Sequence, residues 1–305
     1  MSPSSPKVRV EVEGRELILS NLDKVLYPEV GFTKGQVLDY YTRIAPVLLP
    51  HLRDRPLTLK RYPDGVDGKF FFEKNAPRHA PDWVPTVTIA TPGSTKNRDS
   101  INFAVVGDLP SLLWAANLAT LELHVPMWTV GPRGGVRGAD LLVFDLDPGA
   151  PATIVECCQV AVLIRGVLAE DGLRAWPKTS GSKGMQLYVP LAEVDAERPW
   201  AYARELAQRL EQENPALVVS RMTRALRPGK ILVDWSQNSA AKTTVAAYSL
   251  RARPRPTVST PITWDEVLAC RSPEDLVFAS DDVLTRVSKH GDFMSPLTDL
   301  RQPLP

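Results

Sequence analysis

A mixed α+β fold, with β-sheets flanked by helices in two lobes, is what this sequence predicts. Three observations predict it. Apolar runs of strand length are interspersed with helix-length segments, two of which open on capping boxes. The two kinds of segment do not follow a strict strand–helix–strand alternation, which disfavours a doubly wound parallel sheet. A chain of 305 residues that is 44% hydrophobic and 23% charged has the apolar material for a large soluble core.

The elements follow in order. Residues 1–6 read as a mobile start. Residues 7–12 and 15–19 alternate as a hairpin about a Glu13-Gly14 turn. Thr33-Lys34-Gly35-Gln36 is a capping box that opens a helix towards Leu52. Strands are expected at 57–61, 70–73 and 87–90, with at least one of Phe70 to Phe72 in the core. Residues 91–99 are polar and contain glycine, so they read as an exposed loop. A helix at 110–119 precedes a strand at 121–125. The second half has a strand at 141–147, a helix at 153–171, strands at 174–179 and 185–189, a helix at 198–214 and a strand at 231–234. Thr263-Trp264-Asp265-Glu266 is another capping box. Together these make one unit, 1–305, with an N-terminal lobe over about 7–130 and a second lobe over about 131–295.

Composition excludes little beyond a membrane span, since no apolar run approaches the roughly 20 residues required. The start has no apolar signal core, which points to the cytoplasm. Cys157, Cys158 and Cys270 lack zinc spacing and read as free buried thiols. A net charge of +1 gives no argument for a nucleic-acid partner, so any such argument must come from local patches.

The chemistry concentrates in Leu-Leu-Val-Phe-Asp-Leu-Asp-Pro, 141 to 148. Residues two apart on a strand share a face, so Asp145 and Asp147 stand side by side, roughly 7 Å apart at Cα. An isolated Asp-x-Asp is more often a solvated strand end. Here the apolar run buries the strand, and neighbouring carboxylates that lose water are relieved by a divalent cation. Ile-Leu-Val-Asp, 231 to 234, ends a second apolar run on Asp234. Three carboxylates on adjacent strands suit a two-metal phosphoryl-transfer site. Asp234 alone would read as a cap or turn residue. Thr179-Ser180-Gly181-Ser182-Lys183-Gly184 reads equally as a phosphate cradle or as a hairpin turn.

Taken together, the motifs resemble the polymerase domain of bacterial DNA ligase D, a branch of the archaeo-eukaryotic primases. The resemblance covers nearly the whole chain. It rests on Asn-Leu-Asp-Lys-Val-Leu-Tyr-Pro (21 to 28), Lys-Arg-Tyr-Pro-Asp-Gly (60 to 65), Phe-Phe-Glu-Lys (71 to 74) and Leu-Glu-Leu-His-Val-Pro-Met-Trp (121 to 128). The Asp-Leu-Asp-Pro strand, the Thr-Ser-Gly-Ser-Lys-Gly loop, Asp-Trp-Ser-Gln-Asn (234 to 238) and Tyr-Ser-Leu-Arg (248 to 251) complete it. There is no Lys-x-Asp-Gly ligase motif, so neither a ligase nor a phosphoesterase domain is expected here.

The resemblance implies a primase-like fold and a template-directed polymerase that extends a 3′-hydroxyl at DNA breaks or gaps. It implies a preference for ribonucleotides, with NTP or dNTP as substrate, and two Mn2+ or Mg2+ ions held by Asp145, Asp147 and Asp234. It places His124, Ser180, Lys183, Gly184, Gln237 and Arg251 around the incoming triphosphate. Asn21, Lys24 and Lys34 would read a downstream 5′-phosphate. Lys60, Arg61, Phe71, Phe72 and Arg227 would face DNA, and the loop at 91–99 would pair DNA ends. The implied partners are DNA with gaps, overhangs or 5′-phosphorylated ends, Ku and a separate DNA ligase. The implied location is the bacterial nucleoid.

The sequence departs from the family at one place. A histidine facing the triphosphate is expected on the strand after the glycine loop, and Gln186 stands there instead. An amide can bond a phosphate oxygen but carries no charge.

Two rival readings stand beside this one. Phe-Asp-Leu-Asp also suits a phosphatase of the haloacid-dehalogenase type with Asp145 as nucleophile, although Pro148-Gly149-Ala150 follows and the motif lies mid-chain. Gln186 is the support for the other rival, a non-catalytic DNA-end-binding and synapsis protein.

Overall fold

A computed structural model describes residues 7–91 and 99–305. The expectations for residues 1–6 and for the centre of the 91–99 loop lie outside the described residues. The fold is mixed α+β.

The first half contains β1 (Val8–Val12), β2 (Arg15–Leu19), β3 (Val25–Tyr27), β4 (Phe32–Thr33), α1 (Lys34–Leu52) and β5 (Pro56–Arg61). It continues with β6 (Phe71–Glu73), β7 (Thr86–Ala90), β8 (Ser100–Val105), α2 (Leu109–Asn117), β9 (Thr120–Val125) and β10 (Trp128–Val130). The second half runs β11 (Val136–Pro148), α3 (Ile154–Glu170), β12 (Trp176–Thr179), β13 (Met185–Val194), α4 (Glu197–Glu213) and β14 (Val218–Val219). It ends with β15 (Ile231–Asp234), β16 (Thr244–Val245), α5 (Trp264–Ala269), α6 (Ser280–His290) and α7 (Pro296–Asp299).

Local chemistry accounts for several of these. The β1–β2 turn needs positive φ at both central residues, and Glu13 (49°) and Gly14 (74°) supply it. Thr33 caps α1 reciprocally: Gln36 N donates to its hydroxyl at 3.3 Å, and Thr33 N donates to Gln36 Oε1 at 2.8 Å. Thr263 and Glu266 repeat the device at α5.

Two six-stranded sheets carry the molecule. One has the order β16-β9-β5-β8-β7, with β6 on β5; the other is β12-β13-β11-β15-β14, with β10 on β11. The pairs are antiparallel except β14 with β15. Residues from late in the chain return to the first sheet: Val245 on β16 pairs with His124. One continuous core accordingly joins Leu121 and Tyr40 to Leu141, Tyr188, Ala246 and Met294. Arg55, 6% exposed at the head of β5, donates to both oxygens of Asp140 on β11, at 2.9 and 2.7 Å.

Two expectations need correction. Phe70, Phe71 and Phe72 are 52%, 43% and 52% exposed, so none enters the core. β6 is a three-residue edge strand paired with β5, so its rings have no second sheet to bury them. β8 and α6 were not anticipated. β8 is half-exposed, with broken alternation, and its partners β5 and β7 define it.

Candidate active site

β11 runs between β15 and β13, and the registers place Asp234, Asp145, Gln186 and Lys178 abreast across four strands. Asp147, two residues beyond Asp145, shares that face. One carboxylate oxygen from each of Asp145, Asp147 and Asp234 can be chosen so that all three lie within 4.8 Å of one another. The three carboxylates anticipated from sequence thus converge.

The carboxylates of this cluster oppose one another's ionisation. Burial, with Asp147 next, pushes the Asp145 carboxyl up to about 7, against a hydrogen bond from Gln186 that lowers it. Asp147 is raised as well, by partial burial and by Asp234, with Arg227 opposing. Asp234 both caps and clusters: Ser236 N donates to its Oδ1 at 3.0 Å and Gln237 Nε2 to its Oδ2 at 3.0 Å. Beyond it, Asn238 brackets Val143 with its amide, accepting from the backbone N and donating to the O, each at 2.8 Å. That side chain replaces a strand partner where β15 stops.

The glycine loop joins β12 to β13 beside the cluster. Ser180 Oγ accepts from Ser182 N and Gly184 N at 3.2 Å each. At Gly184 a Cβ would lie 2.0 Å from Leu146 O, so only glycine lets the loop pack on β11. Gly181 (φ +66°) gives the same freedom against Val258 and Arg251. Arg251 donates to Ser180 O. Lys183 lines an apolar hollow with Pro148, Ile154 and Phe278.

Across from the acidic row lies a second row on the other sheet, Phe72, Lys60 and Glu122 abreast on β6, β5 and β9. Glu122 is 2% exposed and gathers the cations. His124 Nε2 lies 2.9 Å from its Oε2, Arg251 Nε 3.4 Å from the same oxygen, and Lys60 Nζ 3.2 Å from Oε1. Ala252 N and the Tyr62 hydroxyl also donate to Oε1, at 3.1 and 3.4 Å. Burial alone would raise this carboxyl, but His124, Arg251 and Lys60 hold it well below the usual range. Burial lowers His124, against the pull of Glu122. A neutral ring still donates through Nε2–H, so Lys60 and Arg251 supply the compensating charge.

Residues 33–294 match the family model of the LigD primase-polymerase domain. The chain belongs to the LigD primase-polymerase family. It is 45% identical over 281 residues to the multifunctional non-homologous end joining protein LigD of Mycolicibacterium smegmatis, covering 92% of this chain and 36% of that protein. It is 32% identical over 278 residues to the bifunctional non-homologous end joining protein LigD of Bacillus subtilis, covering 90% and 43%. The chain therefore spans less than half the length of these relatives. The polymerase domain from Mycobacterium tuberculosis ligase D, solved in complex with DNA, matches with a TM-score of 0.86 at 44% identity, over 92% of this chain and 98% of that one. The chain is accordingly a polymerase-type nucleotidyltransferase domain, and neither rival reading is favoured.

On this LigD-type scaffold the remaining expected residues fall in three places. Lys24, Lys34 and Asn21 sit together at the start of α1: Lys34 N donates to Lys24 O and Lys24 N to Asn21 O. Lys34 Nζ donates to Ser20 O at 2.7 Å, and its pKa is brought down to about 8 by burial first, then by Lys24 and Arg61. Lys24 pairs with Asp64 at 3.0 Å. Lys60 lies 4.6 Å from the Phe70 ring centroid and Arg61 5.0 Å from that of Phe71, so the exposed phenylalanines and the cations form one surface. Arg227 stands by Asp147 and donates to Met222 O at 2.5 Å.

Gln186 departs from expectation in its surroundings. It is 4% exposed, and its amide is engaged by Asp145 and Lys178. Sequence reasoning missed Glu122, Lys178, Asn238 and Arg55. Glu122 had a signal, being two residues before His124 on an apolar strand and hence on the same face.

No helix among the described residues is long and apolar enough to cross a membrane. The three cysteines are free and buried.

Proposed function

We propose that this domain is a template-directed polymerase that adds nucleotides, ribonucleotides by preference, to a 3′-hydroxyl at DNA breaks and gaps. The observation that carries the reading is the convergence of Asp145, Asp147 and Asp234 on one face of the β11–β15 pair. Their donor set fits the group it implies, because oxygen-only ligands suit Mn2+ or Mg2+ and burial beside Asp147 raises the Asp145 carboxyl. Bound there, a pair of such ions supplies Lewis-acid stabilisation to the attacking oxygen and the departing pyrophosphate.

The chain's own residues bind and orient. Arg251, Lys183, His124 and the Ser180–Gly184 loop receive the triphosphate, with Gln237 steadying Asp234. Lys60, Arg61, Phe71, Phe72 and Arg227 hold the template duplex. Asn21, Lys24 and Lys34 take a downstream 5′-phosphate. The relatives' names support a place in end joining. We place the domain there beside Ku and a separate ligase, in the cytoplasm at the nucleoid. The catalytic unit is a single domain running through both sheets.

Primer extension on a gapped duplex tests this, comparing ribo- with deoxynucleotides and Mn2+ with Mg2+. Extension that Asp145→Ala abolishes is the expected result. DNA binding without extension under any of these conditions would leave the end-binding rival, and phosphate release from monoesters would leave the phosphatase.

A further inference from the structure

We infer that Gln186 is a positioning residue that orients Asp145 for metal, driven from behind by the buried Lys178, and is not a contact to the nucleotide. The inference rests on the reading of Asp145, Asp147 and Asp234 as a metal centre.

The hydrogen bonds run in one direction. Ser259 Oγ donates to Thr179 O at 2.9 Å and accepts from Lys178 Nζ at 2.6 Å. Lys178 Nζ also donates to Gln186 Oε1 at 2.5 Å, and Gln186 Nε2 donates to Asp145 Oδ1 at 2.9 Å. The amide orientation follows from the chemistry of its neighbours. Lys178 Nζ donates to the amide, so Oε1 faces Lys178. A carboxylate oxygen accepts, so Nε2 must face Asp145. Turning the amide over would set two oxygens against each other at Asp145. The Tyr188 hydroxyl, 3.4 Å from Oε1, reinforces the same orientation.

The arrangement is built, not incidental. Lys178 is 1% exposed; among the described residues its Nζ donates to two neutral partners, Gln186 and Ser259, and burial, with Arg251 next, pulls its pKa well below the usual lysine value, against Asp145. Burying this nitrogen is costly, and its two hydrogen bonds offset part of that cost. Placed behind the amide, it polarises the N–H that meets Asp145, as hydrogen-bond chains do in a low-dielectric interior. One carboxylate oxygen is thereby fixed, and Oδ2 accepts no hydrogen bond from the described residues. This is how outer partners orient metal ligands generally. A neutral histidine has one donor and one acceptor nitrogen, so it would keep the same direction between Lys178 and Asp145. The replacement of the expected histidine by Gln186 thus preserves the support of Asp145.

Mn2+ binding to the whole chain, measured by electron paramagnetic resonance without DNA or nucleotide, tests this. Gln186→Leu keeps the volume and removes the donor; Mn2+ should bind roughly 10–100-fold more weakly. Gln186→His should return affinity to within about threefold of the parent, as a relay of the same polarity requires. Gln186→Met is the second donor-free variant, used if the leucine variant fails to fold, with the same expectation. Binding of 5′-phosphorylated gapped DNA should stay unchanged in each, which separates lost positioning from lost fold. Parental Mn2+ affinity in the leucine or methionine variant, with a raised nucleotide KM, would overturn the inference and make Gln186 a nucleotide contact. Asp145→Ala distinguishes the two levels: if that variant binds Mn2+ like the parent, the metal-centre reading itself fails.

Discussion

Replacing Glu122 by glutamine should detach the cation cluster from β9 while barely changing its shape. Ala252 N, Lys60 and Tyr62 all donate to Oε1, so the amide oxygen must stay there and the new NH2 must take the place of Oε2. That puts donors against Arg251 Nε, 3.4 Å away, and obliges His124 to change tautomer. Hydrogen bonds to a charged group are worth about 1.5–3 kcal/mol each; the His124 hydrogen bond and the Arg251 ion pair both lose the charge. Lys60 and Arg251 keep side-chain exposures of 15% and 17%, so water returns part of this. We expect a net loss of about 2–4 kcal/mol at pH 7. The pH dependence has a definite sign. The folded carboxyl lies below its ordinary 4.5, so its contribution is complete above that pH and is lost as acid protonates it. Urea unfolding of parent and Glu122→Gln at pH 7 and at progressively lower pH should show a gap that narrows below pH 4.5. Nucleotide KM should rise, and the gain in DNA affinity from a 5′-phosphate should persist. Equal unfolding free energies at pH 7 would refute the argument that Glu122 anchors these cations by charge.

Three further outcomes follow from the geometry. Because Asp145 is raised to about 7 when folded, the metal-free protein loses stability as pH climbs from about 4 to 7; Asp145→Asn should melt higher than the parent at pH 8 and match it near pH 4, and a lower melting temperature at pH 8 would contradict this. Lys34→Ala should remove most of the preference for 5′-phosphorylated gapped DNA; in the parent that preference should weaken between pH 7 and 9, since Lys34 loses its proton near 8, and an unaltered preference in the variant would exclude Lys34 from the phosphate pocket. Gly184→Ala places a Cβ 2.0 Å from Leu146 O, so thermal unfolding should show a severe loss of stability, and a parental melting temperature would mean that the loop moves freely off β11.

What the sequence disclosed depended on the range of the cause. The β1–β2 turn, the Thr33 cap and the acidic strand end are set by residues within four positions of one another, and all were legible. The adjacency of Asp234 to Asp145 was inferable because both end apolar runs that demand burial in one sheet. Register was not inferable. Gln186 could be assigned to the right strand and even the right face, yet its partner Lys178 lies on β12, and only the pairing of β12, β13 and β11 brings the three together. Arg55 and Asp140 are 85 positions apart, and neither carries a local sign of the other. The phenylalanines misled for a related reason: hydrophobicity predicts burial only when a second surface is available, and an edge strand offers none.

A net charge of +1 concealed the feature that matters most for function. The charge is segregated, not absent. Asp145, Asp147 and Asp234 concentrate negative charge on one sheet, while Lys60, His124 and Arg251 surround a single carboxylate on the other. Arg251 links the two sides, donating to Ser180 O of the glycine loop while staying beside Glu122. Glu122 is buried and ionised, so it holds Lys60 and Arg251 in place beside the neutral His124. A ligand that is itself divided, with a polyanion at one end and bound divalent cations at the other, matches both rows at once. A lone anion meets only the Arg251 and Lys60 side and a lone divalent cation only the aspartates, so the divided ligand engages more of the site than either. That preference comes from patches of opposite sign on the two sheets, which total charge conceals.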